Sequence, residues 1–377
     1  MKRFLPIPIT AAVLTGLLAT PSLPGIAATK PAAGKACSKA GVVSGVLTCT
    51  KSGAKLTWAP ATTIAPSVSS PAPASTAAPA STALPAAPVA NVTKLIFAPV
   101  PAENALATAS NWAPFVKALS DVVGIPIEQV ATTDYAGVTE GVLAGKVDIA
   151  MYGPLSYYIA TQAGAKIRGA AIQTSSFGAA ETYQSYLFTK AGRTDITSIA
   201  DVKGKKVCFG DPESTSGTLF PYLMLADAGI DAQKDITNVV AGAHDRSILG
   251  VINGSCDAGF AFDTIVTTPS GAATSVKGSD LKVIAKSKPI PNSPMAVRTD
   301  LPPALLKKIV DAIPQIDALY LQANNYCPSS APRCGPGSLA ANQNQSWKPV
   351  TSDSWVEPVA QACKLPAAPS SCRPAKK

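Results

Sequence analysis

The segment of this chain best suited to chemistry is a run of three hydroxyl residues and a glycine: Ser214, Thr215, Ser216 and Gly217. It follows a short apolar run that ends at Phe209 and precedes a stretch with helical spacing. A turn between a strand and a helix places hydroxyls and unpaired backbone N–H groups at the positive end of a helix dipole. One hydroxyl is enough to cap a helix, so three in succession indicate a binding turn for a tetrahedral oxyanion.

The only histidine of the chain, His244, also follows an apolar run and opens a predicted helix. Ligands of open α/β sheets lie at the carboxyl ends of the strands, so we expect its imidazole beside the hydroxyl turn. An imidazole there, neutral or charged, can donate a hydrogen bond to an anion. A structural role is the alternative for a lone histidine. One histidine and no C-x-x-C spacing also argue against a metal site, and we expect no cofactor.

Two further strand-to-helix junctions occur earlier in the chain. Residues 133–135 end in Tyr135, whose phenol is a candidate hydrogen-bond donor. Residues 152–154 end in Pro154, which suits the first turn of a helix. We expect both junctions to face the same cleft as the hydroxyl turn, with ordinary junction chemistry as the alternative.

Strand and helix patterns alternate from residue 93 onward and position these junctions. The predicted strands cover 94–99, 125–130, 147–151, 184–189, 206–209, 236–240 and 257–262, and the predicted helices 111–122, 135–144, 215–228 and 244–252. Strands separated by helices of this length predict parallel sheets with crossover helices. Two such runs predict two α/β lobes that face each other across a cleft.

The first residues have the pattern of an export signal. Lys2 and Arg3 precede a short apolar stretch, and small residues occur at Ala27 and Ala28, so residues 1–28 are assigned to a signal peptide. The apolar stretch is too short to span a membrane. We expect the chain to be exported to the periplasm, the cell envelope or the extracellular space. Lys35, two residues before the first cysteine, does not suit a lipid anchor.

Two small segments follow the signal. Residues 29–59 are predicted to form a β-hairpin unit bracketed by Cys37 and Cys49, which suggests contact with the cell envelope. Residues 60–92 consist largely of Pro, Ala, Ser and Thr and predict a semi-rigid spacer.

The eight cysteines are consistent with an oxidising compartment. Besides the N-terminal pair, Cys208 and Cys256 lie in or beside strands, where a bridge and two buried thiols are both open. Four more cysteines lie in the loop-rich segment 326–377 and predict two disulfides that fasten an irregular tail. The pairing within that tail is open.

The formal net charge of +9 is compatible with an anionic partner. The basic residues are dispersed, without a Lys/Arg run interleaved with aromatic residues, so nucleic acid is not an expected partner. The sequence also lacks a G-x-S-x-G elbow and a phosphate-binding P-loop, which argues against an enzyme. A hydrolase built from Ser216, His244 and Asp245 is disfavoured because adjacent side chains point apart.

Together these segments resemble the PhnD-like phosphate/phosphite/phosphonate-binding proteins of ABC importers over residues 93 to 320. The motifs that carry the resemblance lie at 133–135, 145–154, 201–205, 211–217, 241–244 and 290–291. The resemblance implies a two-lobed type II periplasmic binding protein fold with a hinge. It implies lobe one at 93–186 plus 288–325 and lobe two at 187–287.

By the same resemblance, residues from both lobes bind the phosphoryl oxygens and no residue is catalytic. The implied ligand-binding residues are Tyr135, Tyr183, Ser214, Thr215, Ser216 and His244. Asp263 remains as one carboxylate for an amine, but the apolar run before it argues against an aminoalkylphosphonate. Phosphate, phosphite or a short alkylphosphonate is the implied ligand, and the membrane permease of an ABC importer the implied partner. The alternative is a surface-displayed interaction protein that reuses the clamp fold.

Overall fold

The structure, a computed structural model, describes residues 43–44, 47–52, 55–60, 92–174, 181–338 and 345–373. The predicted signal, most of the spacer and Cys37 lie outside these ranges, as does the predicted Cys37–Cys49 bridge. The chain forms two units. In the N-terminal unit, three strands pair successively in antiparallel fashion: β1 (Val43–Ser44), β2 (Leu47–Ser52) and β3 (Lys55–Pro60). The second unit is described from residue 92.

Lobe one of the second unit has a six-stranded sheet in the order β16-β7-β15-β6-β4-β5. Its strands are β4 (Leu95–Pro99), β5 (Ile127–Gln129), β6 (Ile149–Met151), β7 (Ile167–Thr174), β15 (Pro294–Arg298) and β16 (Ser346–Pro349). The helices packed on it are α1 (Ala105–Val123), α2 (Tyr135–Leu143), α3 (Pro154–Gln162), α7 (Pro303–Ala312), α8 (Ala318–Ala323) and α9 (Glu357–Cys363). Apolar clusters cover both faces of the sheet, as expected of a sheet layered between helices.

Lobe two has a five-stranded sheet in the order β11-β10-β12-β9-β13. Its strands are β9 (Ser185–Lys190), β10 (Lys206–Phe209), β11 (Thr237–Val240), β12 (Ala258–Phe262) and β13 (Leu281–Lys286). Its helices are α4 (Phe220–Asp227), α5 (His244–Ile252) and α6 (Asp263–Thr267), with a π-helical turn at Thr215–Leu219 and 3₁₀ turns at Ile199–Val202, Gly271–Ala273 and Gly278–Asp280. The predicted helix over 215–228 is therefore divided into a π-helical turn and α4.

The two lobes are connected by a pair of two-residue strands, β8 (Thr182–Tyr183) and β14 (Ile290–Pro291), which run antiparallel. Strands β9 and β15 enter the opposite lobe after these crossings and lie antiparallel to their neighbours. The sheets are therefore mixed. The predicted parallel pairing is present among β4, β5 and β6 and among β10, β11 and β12, but the other strands pair antiparallel, which the prediction did not include. The sequence pattern shows the crossover helices but not the direction in which the chain re-enters a sheet.

The C-terminal segment is more regular than the sequence indicates. Strand β16 adds an edge to the lobe-one sheet by pairing with β7, and α9 follows it between 3₁₀ turns at Asp353–Val356 and Ser370–Cys372. Disulfides join Cys327 to Cys334 and Cys363 to Cys372. A third joins Cys208 of β10 to Cys256 just before β12, so of the two open alternatives the bridge is present.

Helix α1 illustrates how local chemistry sets the elements around the cleft. The side chain of Asn104 caps its first turn by accepting a hydrogen bond from the backbone N–H of Ala107, and Gly124 ends it with a φ of 74°. The ring of Phe97 in β4 lies 5.4 Å from Trp112 of α1, so the helix is held against the sheet. Among the described residues, no helix is long and apolar enough to span a membrane.

Candidate functional site

Four helical segments begin at one cleft between the lobes: α2 at Tyr135 and α3 at Pro154 in lobe one, and the π-helical turn and α5 in lobe two. Their proximity is shown by hydrogen bonds that cross between them. The backbone N–H of Leu155 donates to Thr215 Oγ1 at 2.8 Å, and Ser214 Oγ lies 3.1 Å from His244 Nε2. Because each helix start carries partial positive charge, the cleft is suited to an anion.

The hydroxyl turn is held by its own backbone. Ser214 is the N-cap, and its Oγ accepts a hydrogen bond from the N–H of Gly217 at 3.0 Å. Thr218 Oγ1 donates to the carbonyl of Asp211 at 2.7 Å, and Ser185 Oγ donates to the carbonyl of Ser216 at 2.6 Å. These bonds fix the turn from both ends and from the neighbouring strand β9.

Gly217 is required by close approach rather than by its backbone angles. A Cβ there would lie 2.9 Å from the Cα of Gly210, 2.9 Å from Ser214 Oγ and 3.0 Å from His244 Cε1. A side chain would therefore displace the backbone of the turn and its hydroxyl. The motif predicted from the sequence thus needs the glycine as much as the three hydroxyls.

All three hydroxyl residues are buried, with 1–2% of each residue exposed. In this arrangement the hydroxyl of Thr215 contacts the start of α3 across the cleft, where it accepts a hydrogen bond from the N–H of Leu155. Buried polar groups need partners, and here each lobe supplies partners to the other. The hydroxyl turn is therefore in its closed, water-excluded position.

His244 lies where the sequence places it, beside the hydroxyl turn. It is 3% exposed, its ring stacks edge-on against Phe262 at 4.8 Å, and its backbone N–H donates to the carbonyl of Ala102 in lobe one at 3.0 Å. Burial lowers the pKa of the imidazole to about 4, against the opposing charge of Asp245. The ring is neutral at pH 7, and its Nδ1 has no hydrogen-bond partner among the described residues.

The two predicted tyrosines lie on either side of the turn. Tyr135 is buried at the start of α2, and its phenol lies near Ser214. Burial and the neighbouring charge of Asp211 raise the pKa of this phenol well above its usual value, so it stays a donor. Tyr183 lies in the hinge strand β8, and burial of its hydroxyl raises the pKa to about 12.

Asp263 lies at the start of α6, near Tyr183, and both carboxylate oxygens are engaged. Oδ2 accepts from the N–H of Gln184 at 3.1 Å and Oδ1 from the N–H of Thr264 at 2.8 Å. Burial raises the pKa of this carboxyl. The side chain fastens α6 to the chain just after the hinge strand.

Sequence reasoning missed the carboxylates that lobe two presents to lobe one. Asp211 Oδ2 accepts from the N–H of Tyr135 at 3.2 Å, and Asp245 Oδ2 accepts from the N–H of Asn104 at 2.9 Å. Asp245 is fully buried and also accepts from the N–H of Ala272 at 2.8 Å. The adjacent acid, considered above only as a hydrolase component, is a contact between lobes. Its position directly after His244 was the available signal.

A third missed acid is Glu213, directly before the hydroxyl turn. Its Oε2 is buried and has no hydrogen-bond partner within the part of the chain that the structure describes. Burial, with the nearby charges of Asp211 and Asp134, raises the pKa of this carboxyl to about 7. Among the described residues, no group of three or more His, Cys, Asp or Glu side chains could hold a metal ion.

A family model described as "ABC transporter, phosphonate, periplasmic substrate-binding protein" matches residues 97–332. The chain belongs to this family. It is 36% identical over 247 residues to the phosphate-import protein PhnD of Mycolicibacterium smegmatis, which covers 63% of this chain and 77% of that protein. It is 33% identical over 207 residues to the phosphonates-binding periplasmic protein of Escherichia coli, which covers 53% of this chain and 59% of that protein.

Solved structures agree with this assignment. The binding protein component of an ABC phosphonate transporter from Pseudomonas aeruginosa superposes with a TM-score of 0.60 at 25% identity, over 71% of this chain and 85% of that chain. PhnD1 of Prochlorococcus marinus, in complex with methylphosphonate, also gives 0.60 at 17% identity, over 72% of this chain and 97% of that chain, and bears on the fold alone. The two-lobed type II periplasmic binding protein fold is confirmed.

As a family member, this substrate-binding protein is the exported component of a phosphonate/phosphate ABC transporter. Such a protein binds a small ligand and has a membrane permease as its partner. These findings support transport and give no support to the surface-displayed alternative.

Proposed function

We propose that this substrate-binding protein captures phosphate, phosphite or a short alkylphosphonate in the cleft and delivers it to the importer. The observation that carries the proposal is the convergence of four helical starts on the buried hydroxyls of Ser214, Thr215 and Ser216. A phosphoryl group has three or more acceptor oxygens, which match donors arranged on more than one side. The relative named for phosphate import is consistent with this ligand class.

The proposed ligand contacts come from both lobes. Ser214, Thr215, Ser216 and His244 bind from lobe two, and Tyr135 and Tyr183 bind from lobe one and the hinge. His244 is neutral at pH 7, so it acts as a hydrogen-bonding group and not as a charge. The donors that we assign are therefore uncharged side chains and backbone N–H groups at helix starts.

We propose that Asp263 shapes the wall of the cleft instead of receiving an ammonium group. Its two oxygens already accept backbone hydrogen bonds, and the preceding strand β12 ends in the apolar residues Phe260 to Phe262. A buried ammonium group needs a free carboxylate partner, because an unpaired buried charge is costly. Aminoethylphosphonate should therefore bind more weakly than methylphosphonate.

No catalytic role is proposed. In the hydrolase considered above, the serine beside the imidazole would be Ser214 and not Ser216, and the adjacent Asp245 engages backbone N–H groups of Asn104 and Ala272. In the part of the chain that the structure describes, His244 Nδ1 has no hydrogen-bond partner and so no orienting carboxylate of the kind a nucleophilic triad requires. We also propose that the N-terminal unit contacts the cell envelope, on the basis of the export signal, the spacer and the basic net charge.

Calorimetric titration with phosphate, phosphite, methylphosphonate and aminoethylphosphonate tests this function. We expect tight binding of at least one of the first three ligands. Ser214→Ala should weaken it by about 10- to 100-fold, because a hydrogen bond to a charged group contributes about 1.5–3 kcal/mol. Ser255→Ala, on an exposed turn of lobe two, is the matched control. A folded protein that binds none of the four ligands would refute the proposal.

A further inference from the structure

The C-terminal segment from β16 to Arg373, here called the strap, lies beyond the family match, which ends at residue 332. It consists of β16, the 3₁₀ turn Asp353–Val356, α9 and the 3₁₀ turn Ser370–Cys372. The Cys363–Cys372 disulfide closes its last loop. The assigned function gives this segment no role.

One side of the strap is fixed to lobe one. Four residues of β16 pair with β7, and the N–H of Val350 continues the ladder by donating to the carbonyl of Ala170 at 3.0 Å. Tyr157 of α3 donates its hydroxyl to Asp353 Oδ1 at 2.8 Å, and its ring lies 5.2 Å from that of Trp355. A sheet ladder and an aromatic contact therefore attach the strap to lobe one.

The other side of the strap contacts lobe two at the anion turn. Ser371 Oγ donates to the carbonyl of Pro212 at 2.7 Å, two residues before the hydroxyl motif. Helix α9 lies against the π-helical turn and against hinge strand β14. Leu219 and Phe220 of lobe two belong to the same buried apolar cluster as Val359 of the strap.

The position of these contacts connects the strap to lobe movement. Within the described residues, the strands that connect the lobes are β8 and β14, and release of a ligand from a two-lobed protein needs a rotation there. Because the strap is attached to lobe one, a rotation of lobe two moves Pro212 and Leu219 away from the strap. The contacts described above therefore belong to the closed arrangement and are lost or changed on opening.

We propose that the strap is a closed-state clamp that supports the anion turn from behind and slows ligand release. A contact present in the closed state and absent from the open state shifts the population toward closure, and it raises the apparent affinity by the same factor. The disulfide keeps the loop preformed, so less entropy is lost when the loop docks. The choice of ligand in the test rests on the proposed function. The proposal that the strap stabilises the closed state does not depend on which ligand is bound.

The main test compares two disulfides of similar loop size in the C-terminal segment. The C363S/C372S double variant frees the loop that contacts lobe two. The C327S/C334S double variant is the control, because Cys334 belongs to the lobe-one core. With inorganic phosphate and methylphosphonate as probes, we expect the first variant to raise the dissociation rate about tenfold and the control to change it less than about twofold, following the population arithmetic.

A second test removes a single hydroxyl, so that the effect of the contact is separated from any effect on the folding of the strap. Ser371→Ala removes only the hydroxyl that reaches Pro212, and Ser352→Ala removes an exposed hydroxyl that contacts Ser354. We expect Ser371→Ala to raise the dissociation rate about two- to tenfold, in the range of one neutral hydrogen bond. Equal dissociation rates for Ser371→Ala and Ser352→Ala, together with equal rates for the two disulfide variants, would overturn the proposal.

A ligand-free measurement distinguishes failure of the clamp from failure of the proposed function. The amides of Leu155 and His244 donate across the cleft, to Thr215 and to the carbonyl of Ala102, so their hydrogen exchange reports opening. Without any ligand, C363S/C372S should speed their exchange about tenfold, while the amide of Phe260 inside the lobe-two sheet stays protected. Unchanged exchange at both cleft amides would refute the clamp even if neither probe bound the wild type.

Discussion

The two sides of the cleft use different chemistry. Lobe two presents side chains: the hydroxyl of Thr215 and the carboxylates of Asp211 and Asp245. Lobe one meets all three with backbone N–H groups at the starts of α3, α2 and α1. The acceptors of one lobe thus face the helix starts of the other, as the helix dipole favours. Closure does not depend on ion pairs between the lobes at these three contacts.

This difference decides what a sequence can reveal. Side-chain donors such as Ser214 and His244 can be recognised from the residue type in the sequence, and their positions after strands could be predicted. Backbone donors such as the N–H of Leu155 cannot be recognised from residue type, because every residue except proline carries a backbone N–H. The predicted half of the site is therefore mainly the lobe-two half.

The largest expected effect comes from the backbone of the lobe-two side. Gly217→Ala places a methyl group 2.9 Å from the Cα of Gly210, so the turn must move and its hydroxyls with it. We expect anion affinity to fall by more than about 100-fold, as several charged hydrogen bonds are lost together. Titration calorimetry with the preferred anion measures this.

Gly153→Ala is the matched change on the lobe-one side. Its methyl group would lie 3.5 Å from Thr215 Oγ1, an ordinary contact distance. We expect less than about a threefold loss of affinity, since no backbone contact is disturbed. If the two glycine variants weakened binding equally, the distinction between the lobes would be wrong.

The next effect concerns the hydroxyl shared by both sides. Thr215→Val keeps the volume but removes the hydroxyl that accepts the Leu155 N–H and that we assign to the ligand. We expect about a 10- to 100-fold loss of affinity, from about 1.5–3 kcal/mol per charge-assisted bond. Thr264→Val, which alters an exposed hydroxyl on α6, serves as the control. Wild-type affinity in Thr215→Val would remove this residue from the proposed site.

The fold was predicted more completely than the site, and for a physical reason. The alternation of apolar runs and helical spacing is set by burial, so it predicted the two α/β lobes. The direction in which β9 and β15 enter their sheets, and the pairing of the edge strand β16, depend on contacts between residues far apart in the sequence. The local sequence pattern does not encode such contacts. Glu213 and Asp245 were missed similarly, because only the folded cleft reveals that one carboxyl is buried and that the other receives N–H groups from both lobes.

A smaller effect is expected from the second carboxylate contact between the lobes. Asp245→Asn retains the shape but replaces one acceptor oxygen with an NH₂ group. In one orientation this NH₂ group faces the N–H groups of Asn104 and Ala272, and in the other it faces the N–H of Arg246, so at least one hydrogen bond is lost. We expect closure to weaken and the Kd to rise about 5- to 20-fold, from the loss of part of a charged hydrogen-bond set. Asp280→Asn, on an exposed 3₁₀ turn of lobe two, is the control for general charge effects. A Kd that rises no more in Asp245→Asn than in Asp280→Asn would mean that this contact does not hold the lobes.

The smallest effect is a pH dependence that arises from two buried groups on the lobe-two side. The pKa of Glu213 is raised to about 7 in the folded state, above its ordinary value of 4.5. The folded state therefore binds more protons than the unfolded state between these values, and this contribution to stability, full below pH 4.5, is lost as the pH rises through 7. Buried His244 has the opposite sign: its pKa of about 4 makes the folded state lose stability as the pH falls below 6.5.

Glu213→Gln isolates the first of these two groups. Glutamine does not titrate, so the variant should become more stable relative to the wild type as the pH rises. We expect the difference in unfolding free energy to grow by about 1–2 kcal/mol from pH 4.5 to pH 8. This is less than the full linkage value because the carboxyl is partly solvated. Urea unfolding at several pH values measures it, and Glu128→Gln, which changes an exposed acid on β5 of lobe one, is the control. A flat difference across this range would show that Glu213 is ionised in the closed cleft and that its charge is balanced there.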